Sequence, residues 1–492
     1  MSLLNSRELE SFIQSEQVND VSIRFGIIGA GQKGNKDADI FAGYKFSDGT
    51  QCYPTLAINF AQSDMMHLKN IPEEDRIHFK GMKGAARTPS LVVEQFDPDV
   101  SDLADERREE LINAFERKFS DVDHLIISLG AGGGVGTGFG SLTLNLIKEE
   151  FFPVPVTLLI SLPFDDPDEI SNALLLLNEI QEFMRIQDEV FEPGEQKPLA
   201  SVILTDNKKL YNDFAQKKQS KRLSNANISW KDEGNDVIVS TIHEANLIPA
   251  NYGSDNVTYD PSDFTKIIQL SGKFLTFAKA RIEPEFTIEK VRSKMKASIE
   301  RGYFSCGHQF QTATMYGGFV LRPSNAEFFK DITTEQVIKD VISEFNPIEQ
   351  MRGKYGDPIW NEDYGVIYTI FAGMTMPTRY KELAEELEEI RKIQKQKQES
   401  AEVDVDISAA IESVRSTTFN PYAKQRRSFG GKSTTGFSSV FSRQAAKEEV
   451  ASSEDETTNT KKETSSGKTR RFGDSDGMAD KFAKLRNSKL KK

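Results

Sequence analysis

Apolar residues fall in short runs separated by polar, periodic stretches. Val21 to Ile28, Tyr53 to Phe60, Arg76 to Phe79, Asp123 to Leu129, Val154 to Leu162 and Leu199 to Leu204 have strand length. The longer of these runs are nearly continuously apolar, as expected of strands buried on both faces. Helical stretches lie between them, at Asp102 to Phe119, Ser141 to Glu150 and after Pro167 and Thr205. Leu4 to Gln14 predicts a short amphipathic helix, and Asn235 to Leu247 a long apolar-periodic one. Beyond it, strand-like runs at Phe274 to Arg281, Thr312 to Leu321 and Val366 to Ala372 alternate with helices at Ile288 to Glu300 and Thr334 to Phe345. Arg379 to Gln398 predicts a charged helix with Leu383, Leu387, Ile390 and Ile393 on one stripe. Strand–helix alternation of this kind means an α/β fold on a parallel sheet, here followed by a smaller mixed α/β domain. The expected divisions are an N-terminal helix at 1–20, a first domain at 21–232, a central helix at 233–256, a second domain at 257–377, a C-terminal helix at 378–400 and a tail at 401–492.

Composition changes the picture at the end of the chain. After Glu399 it shifts to Ser, Thr, Lys, Glu and Gly with sparse aromatics, too little apolar surface to offset ordering entropy, so the tail is expected to be disordered. Residues 401–492 carry 18 Lys and Arg against 13 Asp and Glu, whereas residues 1–400 carry 44 against 62. An acidic body argues against DNA binding by the body itself, while the basic tail suits an acidic or nucleic-acid partner. Two cysteines, Cys52 and Cys306, build no disulfide framework and show no metal-ligand spacing. The first twenty residues do not read as a signal peptide, and the longest apolar stretch, Phe151 to Phe164, is broken by Pro153 and Pro155. The expectation is a cytoplasmic protein with no membrane contact.

The candidate chemistry lies in glycine. Six of the nine residues from Gly130 to Gly138 are glycine, set between a strand and a helix, where inward-facing N–H groups and the helix dipole favour phosphate. An earlier loop, Gly29-Ala30-Gly31-Gln32-Lys33-Gly34-Asn35, fits the GxGxxG dinucleotide pattern. A NAD-binding oxidoreductase would also want an acid ending the second strand. That strand closes on Asn59-Phe60-Ala61-Gln62, and Asp64 comes late. A third small-residue turn runs from Gly81 to Pro89.

Taken together the residues resemble the tubulin and FtsZ GTPases over roughly residues 21–375. Gly132-Gly133-Gly134-Val135-Gly136-Thr137-Gly138 is similar to their GGGTGTG signature, Gly31-Gln32-Lys33-Gly34-Asn35 to the GQCGN loop, and Asn235-Asp236-Val237-Ile238 to the start of the FtsZ central helix. Tyr259-Asp260-Pro261-Ser262-Asp263-Phe264 is similar to the NxDxxD loop. Gly84-Ala85-Ala86-Arg87, Leu162-Pro163, His243-Glu244-Ala245-Asn246, the long C-terminal helix and the basic tail resemble the TubZ branch, the plasmid- and phage-encoded bacterial tubulins. Val135 and Thr258 depart from the family's Thr and Asn.

The resemblance implies a GTP-binding domain using GTP/GDP and Mg²⁺, the ion being held mainly by phosphate oxygens. Gly132, Gly133, Gly134, Val135, Gly136, Thr137 and Gly138 would cradle the phosphates, with a hydroxyl from Thr137. Gly31, Gln32, Lys33 and Asn35 would flank the α- and β-phosphates, with Gln32 near the magnesium, and Ala85, Ala86 and Arg87 would sense the γ-phosphate, unless Arg87 pairs with a neighbouring Asp. Asn207 and Asp236 are the base-specificity candidates, since a carboxylate accepts guanine N1–H and N2–H₂ and an amide satisfies O6 or N3; Asn207 also suits a helix N-cap. Asp168 or Glu169 would hold the ribose, and His243 reads as a packed core residue. Asp260 and Asp263 would be catalytic, reaching the γ-phosphate of the next subunit to polarise water. The implied function is a head-to-tail polymerising GTPase that segregates plasmid or phage DNA through a helix-turn-helix centromere adaptor bound by the tail; the alternative is an FtsZ-like division GTPase.

Overall fold

In the computed structural model, residues 20–79, 84–192, 194–219, 229–252, 259–323, 328, 332–348, 354–356, 359–360 and 362–403 are described. The expected helix at 4–14, residues 220–228, Thr258 and the tail beyond Val403 lie outside them. Through Lys392 the described residues form one compact unit; the end of the last helix, from Ile393, belongs to a second.

Six strands and their helices build the first half. They are β1 (Phe25–Ala30), α1 (Gly31–Gly43), β2 (Thr55–Asn59), β3 (Arg76–His78), α2 (Ser90–Glu94), α3 (Ala104–Lys118), β4 (His124–Gly130), α4 (Gly134–Lys148), β5 (Val156–Leu162), α5 (Pro167–Val190), β6 (Leu199–Asp206) and α6 (Asn207–Gln219). The second half adds α7 (Trp230–Asn251), α8 (Pro261–Leu270), β7 (Lys273–Ile282), α9 (Ile288–Arg301), β8 (Met315–Pro323), α10 (Ile332–Glu344), β9 (Lys354–Gly356), β10 (Ile359–Trp360), β11 (Gly365–Met374) and α11 (Arg379–Val403).

All described strands join one sheet in the order β10-β8-β11-β7-β6-β5-β4-β1-β2-β3, with β9 also on β8. From β3 to β6 every pairing is parallel. β1, β2, β5 and β6 are buried along their whole length, because helices cover both faces. The strands expected to form a second domain do not make a sheet of their own. β7 pairs parallel with β6 through Ser201, Val202 and Ile203, and β11 pairs antiparallel with β7 and β8. That pairing leaves β6 without an exposed edge.

Apolar side chains of α1, α6, α7 and α8 pack on one face of the sheet and those of α3, α4, α5, α9, α10 and α11 on the other. The helix after β1 and the helix after β4 thus leave to opposite sides, and a crevice opens between them at the carboxyl ends of these neighbouring strands. On α11 the predicted stripe is followed closely: Leu383 and Leu387 are buried, Ile390 packs against the core, and Ile393 is exposed. Among the described residues no helix is long and apolar enough to cross a membrane.

α7 crosses the whole sheet. Trp230, at its start, packs against Phe164 and Tyr211, beyond the carboxyl ends of β5 and β6. At its far end Asn246 gives and takes hydrogen bonds with the Ile23 backbone, 2.9 and 2.8 Å, and Asn251 donates to the Asp20 carbonyl, 2.8 Å. His243 is a core residue as expected, stacked on Tyr44 at 3.7 Å between ring centroids and bonded to the Tyr53 hydroxyl at 2.9 Å.

Burial pushes His124 and His243 down to about 3 and His308 to about 4. The unfolded chain takes up these protons near pH 6.5 and the folded protein refuses them, so this part of the stability is present above pH 6.5 and lost as pH falls toward 3–4. Urea midpoints measured at pH 7.5 and 5.5 should therefore differ, by about 1 kcal/mol of unfolding free energy per imidazole. His243→Asn should shrink the difference; equal stability at both pH values would contradict the burial assigned to these rings.

Candidate functional site

The crevice is a cavity of about 380 Å³, within the range of small-ligand sites. After β1 it is walled by Gly31, Gln32 and Lys33; after β4 by Gly130, Gly132, Gly133, Gly134, Val135 and Gly136. Gly84, Ala85 and Ala86 close one side, Asn207 another, and Ser161, Pro163 and Glu169 follow β5. Asn59, Ala61 and Asp64 complete the lining after β2.

Two helices point their amino ends into this space, and neither is capped. α1 starts after Ala30 and α4 after Gly133; neither has a side-chain cap or an acid in its first turn. By contrast Asp166, Ser229, Asp260 and Thr287 cap α5, α7, α8 and α9. A helix start leaves N–H groups without intrahelical partners, and its dipole attracts negative charge. At α4 the donors so exposed are those of Gly134, Val135 and Gly136.

This corrects the sequence reading, which began the helix at Ser141. Thr137 N–H is already spent on the Gly133 carbonyl, 3.1 Å, and Gly138 lies deeper in the same helix, so neither backbone belongs to the cradle. The Thr137 hydroxyl, however, is fully buried without a hydrogen-bond partner. Gly136 is glycine for packing, because a Cβ there would run into the Gly130 carbonyl. Gly133 differs: its φ of −75° suits any residue, and a Cβ would meet nothing within 4 Å. The space it leaves opens on the cavity. Open room at Gly133, two uncapped helix starts and an unpartnered buried hydroxyl fit a polyphosphate.

Asn35 is also corrected. It is fully buried and bonded to both backbone groups of Ile58, 3.2 and 3.4 Å, which ties α1 to β2 instead of facing the cavity. Lys33 lines the cavity, but its Nζ lies 2.5 Å from Asp37, whose carboxylate also accepts from Ser128 Oγ at 2.6 Å. Arg87 follows its alternative reading. It is exposed and pairs with Asp166 at 2.7 Å and Glu169 at 3.7 Å. Burial pushes the Asp166 carboxyl up, yet backbone N–H bonds and Arg87 more than offset this and hold it below its ordinary value.

Asn172, absent from the sequence reading, fastens the glycine loop to the Arg87 turn by donating to the Gly132 and Arg87 carbonyls, 3.0 and 2.9 Å. Ala86 and Arg87 have φ of 41° and 63°, a left-handed conformation that non-glycine residues adopt at a cost. Asn59 and Asp64 were also missed as wall residues; Asn59 donates to Asp64 at 3.2 Å. Their only signal was position, at the end of β2 and five residues beyond it.

Asn207 reaches the cavity, but the cap of α6 is Asp206, which accepts from Lys208 N–H at 2.9 Å. Asp236 is partly exposed in the second turn of α7 and outside the lining, next to buried Asn235. Asp260 and Asp263 do not approach the cavity. They form a capping box at the start of α8, Asp260 Oδ1 accepting from Asp263 N–H at 3.0 Å and Asp263 Oδ2 from Asp260 N–H at 3.3 Å. That helix leads to Gln269, which donates to the Asp123 carbonyl at the amino end of β4. Tyr259, next to Asp260, lies against Gly317 near the amino end of β8, so the glycine loops and the two aspartates occupy opposite edges of the sheet. Among the described residues no cluster of three His, Cys, Asp or Glu is placed to hold a metal ion.

The family model described as the C-terminal domain of TubZ-like tubulin/FtsZ-like proteins matches residues 244–384. The tubulin-like protein TubZ of Bacillus thuringiensis subsp. israelensis is 55% identical over 460 residues, 90% of this chain and 94% of its own. TubZ of Bacillus cereus is 25% identical over 412 residues, 78% and 87% of the two chains. The crystal structure of a GTPγS-form protofilament of B. thuringiensis serovar israelensis TubZ matches with a TM-score of 0.79 at 55% identity, covering 83% of this chain and 100% of that one. A helical model of a two-stranded filament of TubZ-Bt matches with a TM-score of 0.78 over the same shares. The chain belongs to the TubZ family of tubulin-like proteins.

Proposed function

We propose that this chain is a GTPase that assembles head-to-tail into filaments and segregates plasmid or phage DNA. The observation that carries the reading is the separation of its two half-sites. Uncapped helix starts of α1 and α4 converge on the cavity at one edge of the sheet, while Asp260 and Asp263 are fixed at the opposite edge. One subunit cannot bring them together; a second copy stacked end to end can. A heterologous contact of this sort does not close and propagates as a filament. Relatives captured as GTPγS- and GDP-form protofilaments support both nucleotide and assembly. Identity to TubZ does not favour the division-type alternative.

In this reading Gly132 to Gly136 and Gly31 to Lys33 bind the phosphates through backbone N–H groups, with Thr137 adding its hydroxyl. Ala85 and Ala86 lie toward the γ-phosphate, with Arg87 held beside them by Asp166 and Glu169. Asn207 and Asp236 take the guanine. Bound Mg²⁺ would neutralise phosphate charge, with Gln32 beside it and few other protein ligands. The incoming Asp260 and Asp263, held by their own backbone bonds, orient and polarise the attacking water; phosphoryl transfer needs such positioning more than covalent chemistry. Hydrolysis then removes the group that joined the subunits.

Three measurements test this. Gly133→Ala should keep the wild-type melting temperature and weaken GTP binding by about ten- to a hundred-fold, because the new Cβ pushes the phosphates off a backbone donor and so loses the worth of about one charge-assisted hydrogen bond. Gly136→Ala, which invades backbone, should lower the melting temperature as well. Unchanged GTP affinity in Gly133→Ala would move the phosphates elsewhere.

Asp260→Ala and Asp263→Ala should each bind GTP normally, hydrolyse it poorly and give longer-lived filaments in sedimentation and microscopy. Mixing Asp260→Ala with Gly133→Ala should restore some phosphate release, because each supplies the half the other lacks. Normal turnover by either aspartate variant alone would remove that residue from the mechanism.

The tail combines basic clusters at Lys424 to Arg427, Lys468 to Arg471 and Lys481 to Lys492 with interleaved aromatics, Phe429, Phe437, Phe441, Phe472 and Phe482. We assign it to a DNA-bound helix-turn-helix adaptor. Deleting residues 401–492 should preserve GTPase activity and assembly and abolish salt-sensitive capture of adaptor–DNA. Capture by the truncated protein with wild-type affinity and salt dependence would place the contact on the acidic body.

A further inference from the structure

The last helix reaches the nucleotide edge through one side chain. Arg379, the first residue of α11, is only 5% exposed. Its Nε lies 2.7 Å from Asp206 Oδ2 in an ion pair. Its Nη1 and Nη2 donate to the two oxygens of Glu386, 2.8 and 3.3 Å, about two turns further along the same helix.

Asp206 is buried, ends β6 and caps α6 through Lys208 N–H. Lys208 in turn gives its Nζ to Glu386 at 2.8 Å. The residue between them is Asn207, the wall residue contributed by this loop. Both sequence neighbours of Asn207 are therefore tied to α11, one through Arg379 and one through Glu386.

α11 is itself firmly seated. Leu383 and Leu387 are in the core, Tyr380 donates to Asn178 on α5 at 2.7 Å, and Arg391 donates to Ser171 at 3.2 Å. A buried carboxylate like Asp206 needs its cation, since removing one partner of a buried pair strands the other. Without Arg379, Asp206 has reason to turn outward or rearrange, and the α6 cap goes with it.

We propose that Arg379 is a positioning residue for nucleotide binding: from α11 it fixes Asp206 and so holds the Asn207 carboxamide toward the base. Among the described residues none of the cavity wall comes from α11, so the effect passes through the β6–α6 junction. Linkage makes it reciprocal. A ligand that needs Asn207 in place favours the docked α11, and whatever loosens α11 weakens the ligand.

The inference rests on the assignment of Asn207 to the base, and the test separates the two. Full-length wild type, Asn207→Ala, Arg379→Gln, Arg379→Lys and the two double variants are titrated with GTPγS below the concentration of assembly, with melting temperatures as a folding control. Asn207→Ala should weaken binding roughly three- to ten-fold, the worth of one neutral hydrogen bond. Arg379→Gln should weaken it by a similar factor and Arg379→Lys by less, since lysine keeps the charge beside Asp206 but loses the fork to Glu386. Each double variant should bind no more weakly than its weaker parent, because both changes remove the same contact. Arg379→Lys keeps Asp206 paired and carries the test if Arg379→Gln does not fold. Additive losses, or wild-type affinity in a folded Arg379 variant, would overturn the positioning role while leaving Asn207 at the base. Wild-type affinity in Asn207→Ala would overturn the base assignment and, with it, this inference.

Discussion

The reach of α7 is the constraint on which the other features depend. Twenty-two residues of helix span about 33 Å, enough to carry the chain from the nucleotide edge, where Trp230 packs with Phe164 and Tyr211, to the opposite edge, where Asn251 bonds the backbone at Asp20. α8 therefore starts far from the cavity, and its two aspartates with it. A shorter helix would let the carboxylates fold back toward their own cradle. A chain built this way has its chemistry divided between two ends.

So long a buried helix needs its register fixed, and polar groups do that work. Glu244 takes Lys279 Nζ at 2.5 Å and the Tyr368 hydroxyl at 2.7 Å, both from strands of the second half. His243 and Asn246 bind Tyr53 and Ile23 in the first half. One short stretch, His243 to Asn246, thus pins α7 to both parts of the sheet at once. Buried pairs of this type add little net stability over apolar packing but penalise every other register heavily. Sliding α7 by one residue would strand Glu244 and Lys279 in the core.

Strands and site loops were legible in the sequence because parallel strands buried on both faces leave near-continuous apolar runs, and because their carboxyl ends must turn through small residues. What was hidden follows from physics the chain does not display. The start of α4 was placed seven residues late, since Gly134, Gly136, Gly138 and Gly140 have poor intrinsic helix propensity; packing against Leu176 and Pro89 overrides it. Asn35 read as a ligand group because its motif abuts the phosphate loop, yet the alternation of α1 turns it onto β2. Asn172 and Asp206 were invisible because their roles are made by partners 40 and 173 positions away. The second half reads as a smaller mixed α/β domain; how its strands join the others is not visible in the sequence, since β7 extends the first sheet through β6 and β11 then pairs antiparallel with it.

The uncapped starts of α1 and α4 have a thermodynamic meaning beyond ligand geometry. Alanine in place of a capping side chain costs a helix about 1 kcal/mol and glycine a few tenths, and here α1 starting behind Ala30 and α4 behind Gly133 face one cavity beside a turn with Ala86 and Arg87 in the left-handed region. The fold thus keeps its least satisfied backbone where an anion can satisfy it. Ligand binding repairs that deficit and stabilises the native state by mass action. In the proposed function the repaired edge is also the surface that meets Asp260 and Asp263 of another copy. On that proposal nucleotide occupancy and a well-ordered contact surface are one physical event, and losing the terminal phosphate loosens the same backbone that the contact requires.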